Sequence, residues 1–218
     1  MQKALIHIGA SGLQLDTLHW AKESGLYVIA TDIDQTAPGI AIADEFHNIS
    51  GTDVDSLLGL AKTISEKFTL EGVYCNSDFS LIAAAQINQK YGLKGCLPDA
   101  VEISINKTKA KELMLNSKIP LPSGITIDET STISGESLDF KFPIIVKPID
   151  SCGSQGVKYV HDHGGMQDAI ENALNFSDKV LIEEFILGEG IDTIGIMNNG
   201  KFYPYGLGVR VFSELPFR

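Results

Sequence analysis

Lys147 closes the apolar run Pro143-Ile144-Ile145-Val146, and the chain then enters Pro148-Ile149-Asp150-Ser151-Cys152-Gly153-Ser154-Gln155-Gly156-Val157. A lysine ending a buried strand, followed by a loop of small residues, is suited to a polyphosphate. The loop amides supply N–H donors and the ammonium supplies a point charge. Burying an unpaired ammonium is costly, so this lysine has to meet an anion unless its stem carries the head out to water. Ser151, Gly153, Ser154 and Gly156 are the positions whose backbone would form an anion nest; an ordinary glycine-rich hairpin turn is the plainer alternative. Further along, Val180-Leu181-Ile182 leads into Glu183-Glu184-Phe185-Ile186. Successive strand residues point to opposite faces, so one carboxylate can face a ligand or a lysine while the other faces away. Lys107 falls just inside the start of a predicted helix, where the dipole disfavours a cation unless an anion is near. Lys109 and Lys111 make a solvated basic face the competing reading. Taken in this order, the elements point to a nucleotide site.

These residues have to be positioned by elements that the hydrophobic pattern marks out. Ala4-Leu5-Ile6-His7-Ile8 reads as a strand, and Gly9-Ala10-Ser11-Gly12 turns into a helix carrying Leu15, Leu18 and Ala21. Tyr27 to Asp32 is the next strand. A helix over 53–68 follows, with Leu57, Leu58, Ala61 and Ile64 on one face, then a strand over 72–76. Ser77 or Asp78 can cap the helix after it, which ends near Gly92. Strands alternating with helices imply a right-handed parallel α/β layer. From Asn106, an N-cap candidate, the texture changes. Ile119-Pro120-Leu121-Pro122 forces extended chain. The Lys147 strand, a strand over 157–160, a helix over 166–174 and the Glu183 strand make an α+β unit. Thr193 to Met197, Asn198-Asn199-Gly200 and Lys201 to Arg210 form a hairpin.

Gly9-x-x-Gly12 with Asp32 closing the next strand imitates a dinucleotide fingerprint, which makes an NAD-dependent oxidoreductase one reading. Gly-x-Gly-x-x-Gly is not present, and a tight strand-to-helix turn explains the glycines equally well. His161 and His163 have the period-two spacing of a ligand pair, but no third ligand is evident, and a solvated turn is the better account.

The 218 residues suffice for one large domain or two small ones. A hydrophobic share of 44% with 21% charged residues is that of a soluble globular chain. The net charge of −11 argues against nucleic acid or an anionic membrane as partner. Cys75, Cys96 and Cys152 lack metal-ligand spacing and are odd in number, which speaks against a disulfide framework. Cys152 reads as small filler of the loop. With no charged-then-apolar leader and no run of about 18 apolar residues, the expectation is a cytoplasmic protein.

The order of motifs resembles the ATP-grasp superfamily of ATP-dependent carboxylate–amine or carboxylate–thiol ligases, nearest to the branch of the carbamoyl-phosphate synthetase ATP-binding domain and the purine-pathway ligases. The resemblance rests on Gly9-Ala10-Ser11-Gly12, Asp32 to Asp34, Pro38 and Ala43-Asp44. It continues in Asn106-Lys107-Thr108-Lys109, Phe142 to Pro148, Gly153 to Val157 and Ile182 to Gly188. It implies a Rossmann-like pre-ATP-grasp domain over 1–105 that does not bind NAD. An incomplete α+β ATP-grasp domain over 106–218, a small lobe plus the start of a larger one, would follow. By the same resemblance Lys107 and Lys147 reach nucleotide phosphates and the loop covers them. Of the pair Glu183 and Glu184, Glu184 takes the adenine-side carboxylate role while the other faces solvent or a lysine, and Ile186 offers backbone N–H and C=O to the ring edge. Glu189 or Asp192 would hold the ribose, although Gly190 and Ile191 stand where the family commonly has a glutamate. The implied cofactors are ATP and Mg²⁺, with metal ligands expected beyond residue 218, so this chain alone is expected to be inactive. Small-molecule carboxylate and amine substrates are the implied partners; a non-catalytic ATP-sensing module is the alternative. Unpaired edges of an incomplete sheet favour poor solubility or a homodimer.

Overall fold

The computed structural model describes residues 1–128 and 141–211. Residues 129–140 and 212–218 of the second expected domain lie outside that description. The chain divides into two units, Met1–Ile105 and Asn106–Arg218.

In the first unit, β1 (Lys3–Ile8), β2 (Tyr27–Thr31), β3 (Glu45–His47) and β4 (Thr69–Cys75) form a parallel sheet in the order β3-β2-β1-β4. Both faces are covered, which is why β1 and β2 read as nearly continuous apolar runs rather than alternating ones. On one face Val28 and Ala30 pack with Leu18 and Ala21 of α1 (Leu15–Glu23). On the other, Ile6, Ile8 and Ile29 pack with Leu57, Leu60, Ala61 and Ile64 of α2 (Val54–Lys67) and with Ala83, Ala84 and Ile87 of α3 (Leu81–Lys90). Asp53 caps α2, accepting from Ser56 N at 3.1 Å.

Four details depart from the sequence expectations. Strand β3 and helix α4 (Pro98–Ile105) were not anticipated. Leu60 is buried on α2, whereas Leu58 packs only at the margin of the core. Ser77 makes no side-chain cap; the chain enters α3 through a 3₁₀ turn, Asp78–Ser80. The outer edge of β4 is closed by the buried Asn88, whose side chain accepts from Val73 N and donates to Val73 O, both at 2.8 Å. A side-chain amide thus stands in for a fifth strand at that residue.

His7, on β1, is fully buried. Its Nδ1 lies 2.8 Å from Gly9 O, an acceptor, so Nδ1 carries the hydrogen; Nε2 is 2.8 Å from Thr17 Oγ1. Burial pulls its pKa below the ordinary value of 6.5, with the Gly9 hydrogen bond opposing. The unfolded chain therefore takes up a proton at pH values where folded His7 stays neutral. Stability contributed by neutral His7 is fully present above pH 6.5 and declines as pH falls from there toward the folded pKa. Thermal melts between pH 7.5 and 5 should show this decline, and His7→Gln should flatten it.

In the second unit, β5 (Gly124–Asp128), β6 (Ile144–Pro148), β7 (Lys158–Val160) and β8 (Lys179–Glu184) form an antiparallel sheet in the order β5-β8-β6-β7. Ile127, Ile144, Val146, Val160, Val180 and Ile182 meet Met166, Ala169, Ile170 and Ala173 of α6 (Met166–Leu174). Alternation then sends Ile145, Lys147, Leu181, Glu183 and Thr126 to the opposite face. That face receives α5 (Lys107–Asn116). Thr108 Oγ1 lies 3.1 Å from Thr126 Oγ1, and Lys107 N donates to Ile149 O at 2.8 Å. Asn106 caps α5, accepting from Lys109 N at 3.0 Å. A separate hairpin follows, β9 (Gly190–Asn198) and β10 (Lys201–Arg210). Its Asn199-Gly200 turn has positive φ at both residues, as a two-residue hairpin turn of the primed type requires. Among the described residues no helix is long and apolar enough to cross a membrane.

Candidate functional site

The sheet face away from α6 is where the chain gathers its charges. Lys147 is the penultimate residue of β6, opposite Leu181 of β8, and Glu183 lies two residues further along β8, opposite Ile145. Lys147 and Glu183 are therefore diagonal neighbours on one face, a separation long side chains span. Lys147 Nζ donates to Glu183 Oε1. The second oxygen, Oε2, accepts from Lys111 Nζ at 2.9 Å, and Lys111 also donates to Pro122 O at 2.7 Å. The Glu183 side chain is 9% exposed, those of Lys111 and Lys147 17% and 23%. On the β5 side Gly124 faces Glu183, and a Cβ there would stand 2.4 Å from Ile182 O and 2.7 Å from Glu183 Cβ. Only glycine lets the two strands approach this closely beside the carboxylate.

The loop that follows Lys147 is joined to α5 by Lys107, whose Nζ donates to Ser151 O at 2.6 Å. Within the loop Ser151 Oγ donates to Gln155 O at 2.9 Å. Gly153, Ser154 and Gly156 all have positive φ, so their amides turn away from the run expected of extended chain. A Cβ on Gly156 would meet Pro148 Cγ and Phe176 Cδ2, each at 2.7 Å, which seats the end of the loop against the sheet. Gly153 and Ser154 are exposed. The loop is thus pinned at both ends with its middle open to solvent, and its residues lie beside two lysines that approach from a strand and from a helix.

Glu184 is placed differently from Glu183. Its backbone N donates to Ser123 O and its Oε1 accepts from Ser123 N, both at 2.9 Å, so its carboxylate is turned onto the chain leading into β5. Ile186 and Glu189 are exposed beyond the end of β8, with Ile186 60% accessible. Asp192, on β9, pairs with Arg210 of β10 across the hairpin. The structure therefore pairs Lys107 with Ser151 and Lys147 with Glu183, and sets Ile186, Glu189 and Asp192 at the exposed end of β8 and on the hairpin. Lys111 is the charged neighbour that sequence reasoning placed on a solvated face. Its spacing of one helical turn from Lys107 held the clue, since such residues share a helix face. His161 and His163 each contact an aromatic ring, of Tyr159 and Phe142 respectively. Among the described residues no group of three or more His, Cys, Asp or Glu is placed to hold a metal ion.

A concavity of about 330 Å³ opens at the carboxyl ends of β1 and β2 and is lined by Gly9, Ser11, Gln14, Thr31, Asp32 and Ser80 among others. This is where a parallel sheet of this kind offers a crevice. Asp32, the carboxylate expected there for NAD, has both oxygens engaged by backbone: Oδ2 accepts from Ala10 N at 2.7 Å and Oδ1 from Asp34 N at 3.0 Å. It ties the glycine turn to the end of β2.

Residues 121–214 match the family described as D-ala D-ala ligase C-terminus. The chain is 28% identical over 200 residues to the formate-dependent phosphoribosylglycinamide formyltransferase of Prochlorococcus marinus, a match covering 85% of this chain and 48% of that protein. It is 31% identical over 109 residues to a D-alanine–D-alanine ligase of Pediococcus pentosaceus, covering 50% of this chain and 30% of the relative. The chain thus spans half or less of the length of these curated relatives. Among solved structures, an N5-carboxyaminoimidazole ribonucleotide synthetase in complex with ADP superposes with a TM-score of 0.78 at 14% identity, over 96% of this chain and 54% of that one. An L-amino acid ligase from Bacillus licheniformis gives a TM-score of 0.75 at 18% identity, over 100% of this chain and 53% of that one.

Proposed function

We propose that the chain is a member of the ATP-grasp superfamily of ligases and forms the ATP-binding portion of an enzyme that joins a small-molecule carboxylate to an amine or thiol. The observation that carries this reading is the loop beginning at Ser151, which follows the Lys147 strand and is tied to α5 by Lys107, whose Nζ donates to Ser151 O. Triphosphate oxygens placed over the loop would accept from its amides and from both ammonium groups. Glu184 would take the adenine side with Ile186 offering its backbone to the ring edge, and Glu189 or Asp192 would contact ribose. On this reading residues 1–105 form the pre-ATP-grasp domain and residues 106–218 the small lobe with the first strands of a larger one.

The reaction proposed is attack of the substrate carboxylate on the γ-phosphorus, giving an acyl phosphate and ADP. The amine or thiol then attacks the acyl carbon and phosphate leaves. Mg²⁺ bound with the nucleotide would neutralise charge on the transferring group. This chain's own contribution would be to bind and orient the phosphates through Lys107, Lys147 and the loop. The exposed apolar residues of the hairpin, Ile194, Met197 and Leu207 among them, favour self-association.

The test is a melt of the 218-residue chain with ATP and with NAD. ATP at about a hundred times its dissociation constant stabilises a native state by about 2.7 kcal/mol, so the melting temperature should rise with ATP and not with NAD. A rise with NAD alone would restore the oxidoreductase reading. With Mg²⁺ATP and a panel of amino acids, the isolated chain should release no ADP. Sustained release would show that the chain is catalytic by itself.

A further inference from the structure

We propose that Lys111 is a positioning residue: it keeps Glu183 neutralised so that Lys147 is free to leave that carboxylate for a polyphosphate. The inference rests on the nucleotide reading above and concerns a side chain with no role in it. Glu183 has one ammonium on each oxygen, and the two ammoniums are held differently. Lys111 is fixed at two points, Glu183 Oε2 and the backbone carbonyl of Pro122. Pro122 stands in a segment with two prolines, whose rings restrict φ there, and it gives Lys111 a backbone acceptor besides the carboxylate. Lys147 donates to Glu183 Oε1 from a side chain that is the more exposed of the two.

The charge count decides what this arrangement can do. Two ammoniums and one carboxylate leave a surplus of one positive charge on a nearly dry patch of sheet. Were Lys147 the sole partner of Glu183, moving it to a phosphate would strand the carboxylate in a site that is 9% exposed, and removing one partner of a buried pair is strongly unfavourable. With Lys111 anchored beside it, Glu183 keeps a counter-ion throughout. The surplus charge then goes to the incoming anion through Lys147, which lies near the end of the strand that leads into the loop. Lys111 need not touch the ligand to do this.

Calorimetric titration of the 218-residue chain with ATP and with adenosine tests the relay. In the wild type ATP should bind more tightly than adenosine, and that preference reports the phosphate contacts. Lys111→Met should shrink the preference by about 10- to 100-fold, the span of a charge-assisted hydrogen bond, while adenosine binding stays as it was. Lys111→Arg, which keeps charge and donors, should restore it. If the wild type does not distinguish ATP from adenosine, the placement of phosphates at Lys147 fails, and the relay with it. If it does distinguish them and Lys111→Met keeps the preference, or loses ATP and adenosine affinity together, the relay alone fails and the nucleotide reading stands. Should Lys111→Met not fold, ¹⁵N NMR of the lysine ammonium groups in the wild type decides. On adding ATP, the Lys147 Nζ signal should move and that of Lys111 should stay; movement of both or of neither overturns the proposal.

Discussion

Lys147→Met is expected to weaken ATP binding by about two orders of magnitude, since a hydrogen bond to a charged group is worth about 1.5–3 kcal/mol and 1.4 kcal/mol is tenfold. The methionine matches the lysine stem in length and fills the same space on the sheet face, so what is removed is the ammonium. Glu183 retains Lys111 at 2.9 Å, so the fold should lose little. That separation of effects is the informative part. A large change in affinity with a small change in melting temperature identifies Lys147 as a ligand-facing cation whose pairing with Glu183 is a resting arrangement. An unchanged dissociation constant for ATP would remove phosphate binding from β6 altogether.

Glu183→Ala should do the reverse and strike stability hardest. It leaves Lys111 and Lys147 facing each other across the gap the carboxylate occupied. Breaking a buried ion pair by deleting one partner costs about 3–5 kcal/mol. The lower end applies here, because both lysines are partly exposed and can carry their heads toward water. Denaturant unfolding should show the loss. Glu183→Gln, which preserves shape and an acceptor, should lose less than Glu183→Ala. Replacing the triad together, as Lys111→Met, Lys147→Met and Glu183→Leu, should recover most of the stability while abolishing the preference for ATP over adenosine. Apolar residues of similar volume often substitute for a buried ion cluster without loss. Wild-type stability in Glu183→Ala would show that the three charges are solvated in solution.

The two variants separate binding from folding because of where the strands put their residues. Lys147 stands on β6 beyond the pairing with β7, with a strand on one side only, whereas Glu183 is flanked by β5 and β6 and faces a glycine. A group with a neighbouring strand on one side only can exchange partners at small cost. One enclosed by neighbouring strands needs its charge balanced at all times, and that is the requirement Lys111 meets.

What the sequence determined by itself was local. Asn106 as a cap, the helix over 166–174 and the Asn199-Gly200 hairpin were all legible, because capping, 3.6-residue periodicity and turn chemistry act over a few residues. The parallel layer was legible because its buried strands are apolar on both faces. Strand β3 was not: Glu45-Phe46-His47 has no apolar run, and these residues are extended only because β2 offers them a partner. The opposite facing of Glu183 and Glu184 also followed from strand geometry alone. Tertiary structure decided which carboxylate met the lysines, through the antiparallel register of β6 against β8, and it brought Lys111 to them by laying α5 on the sheet face opposite α6. Those contacts join residues far apart in the chain, and no spacing along the sequence encodes the distance between an ammonium and a carboxylate that only pairing of strands and helix brings together.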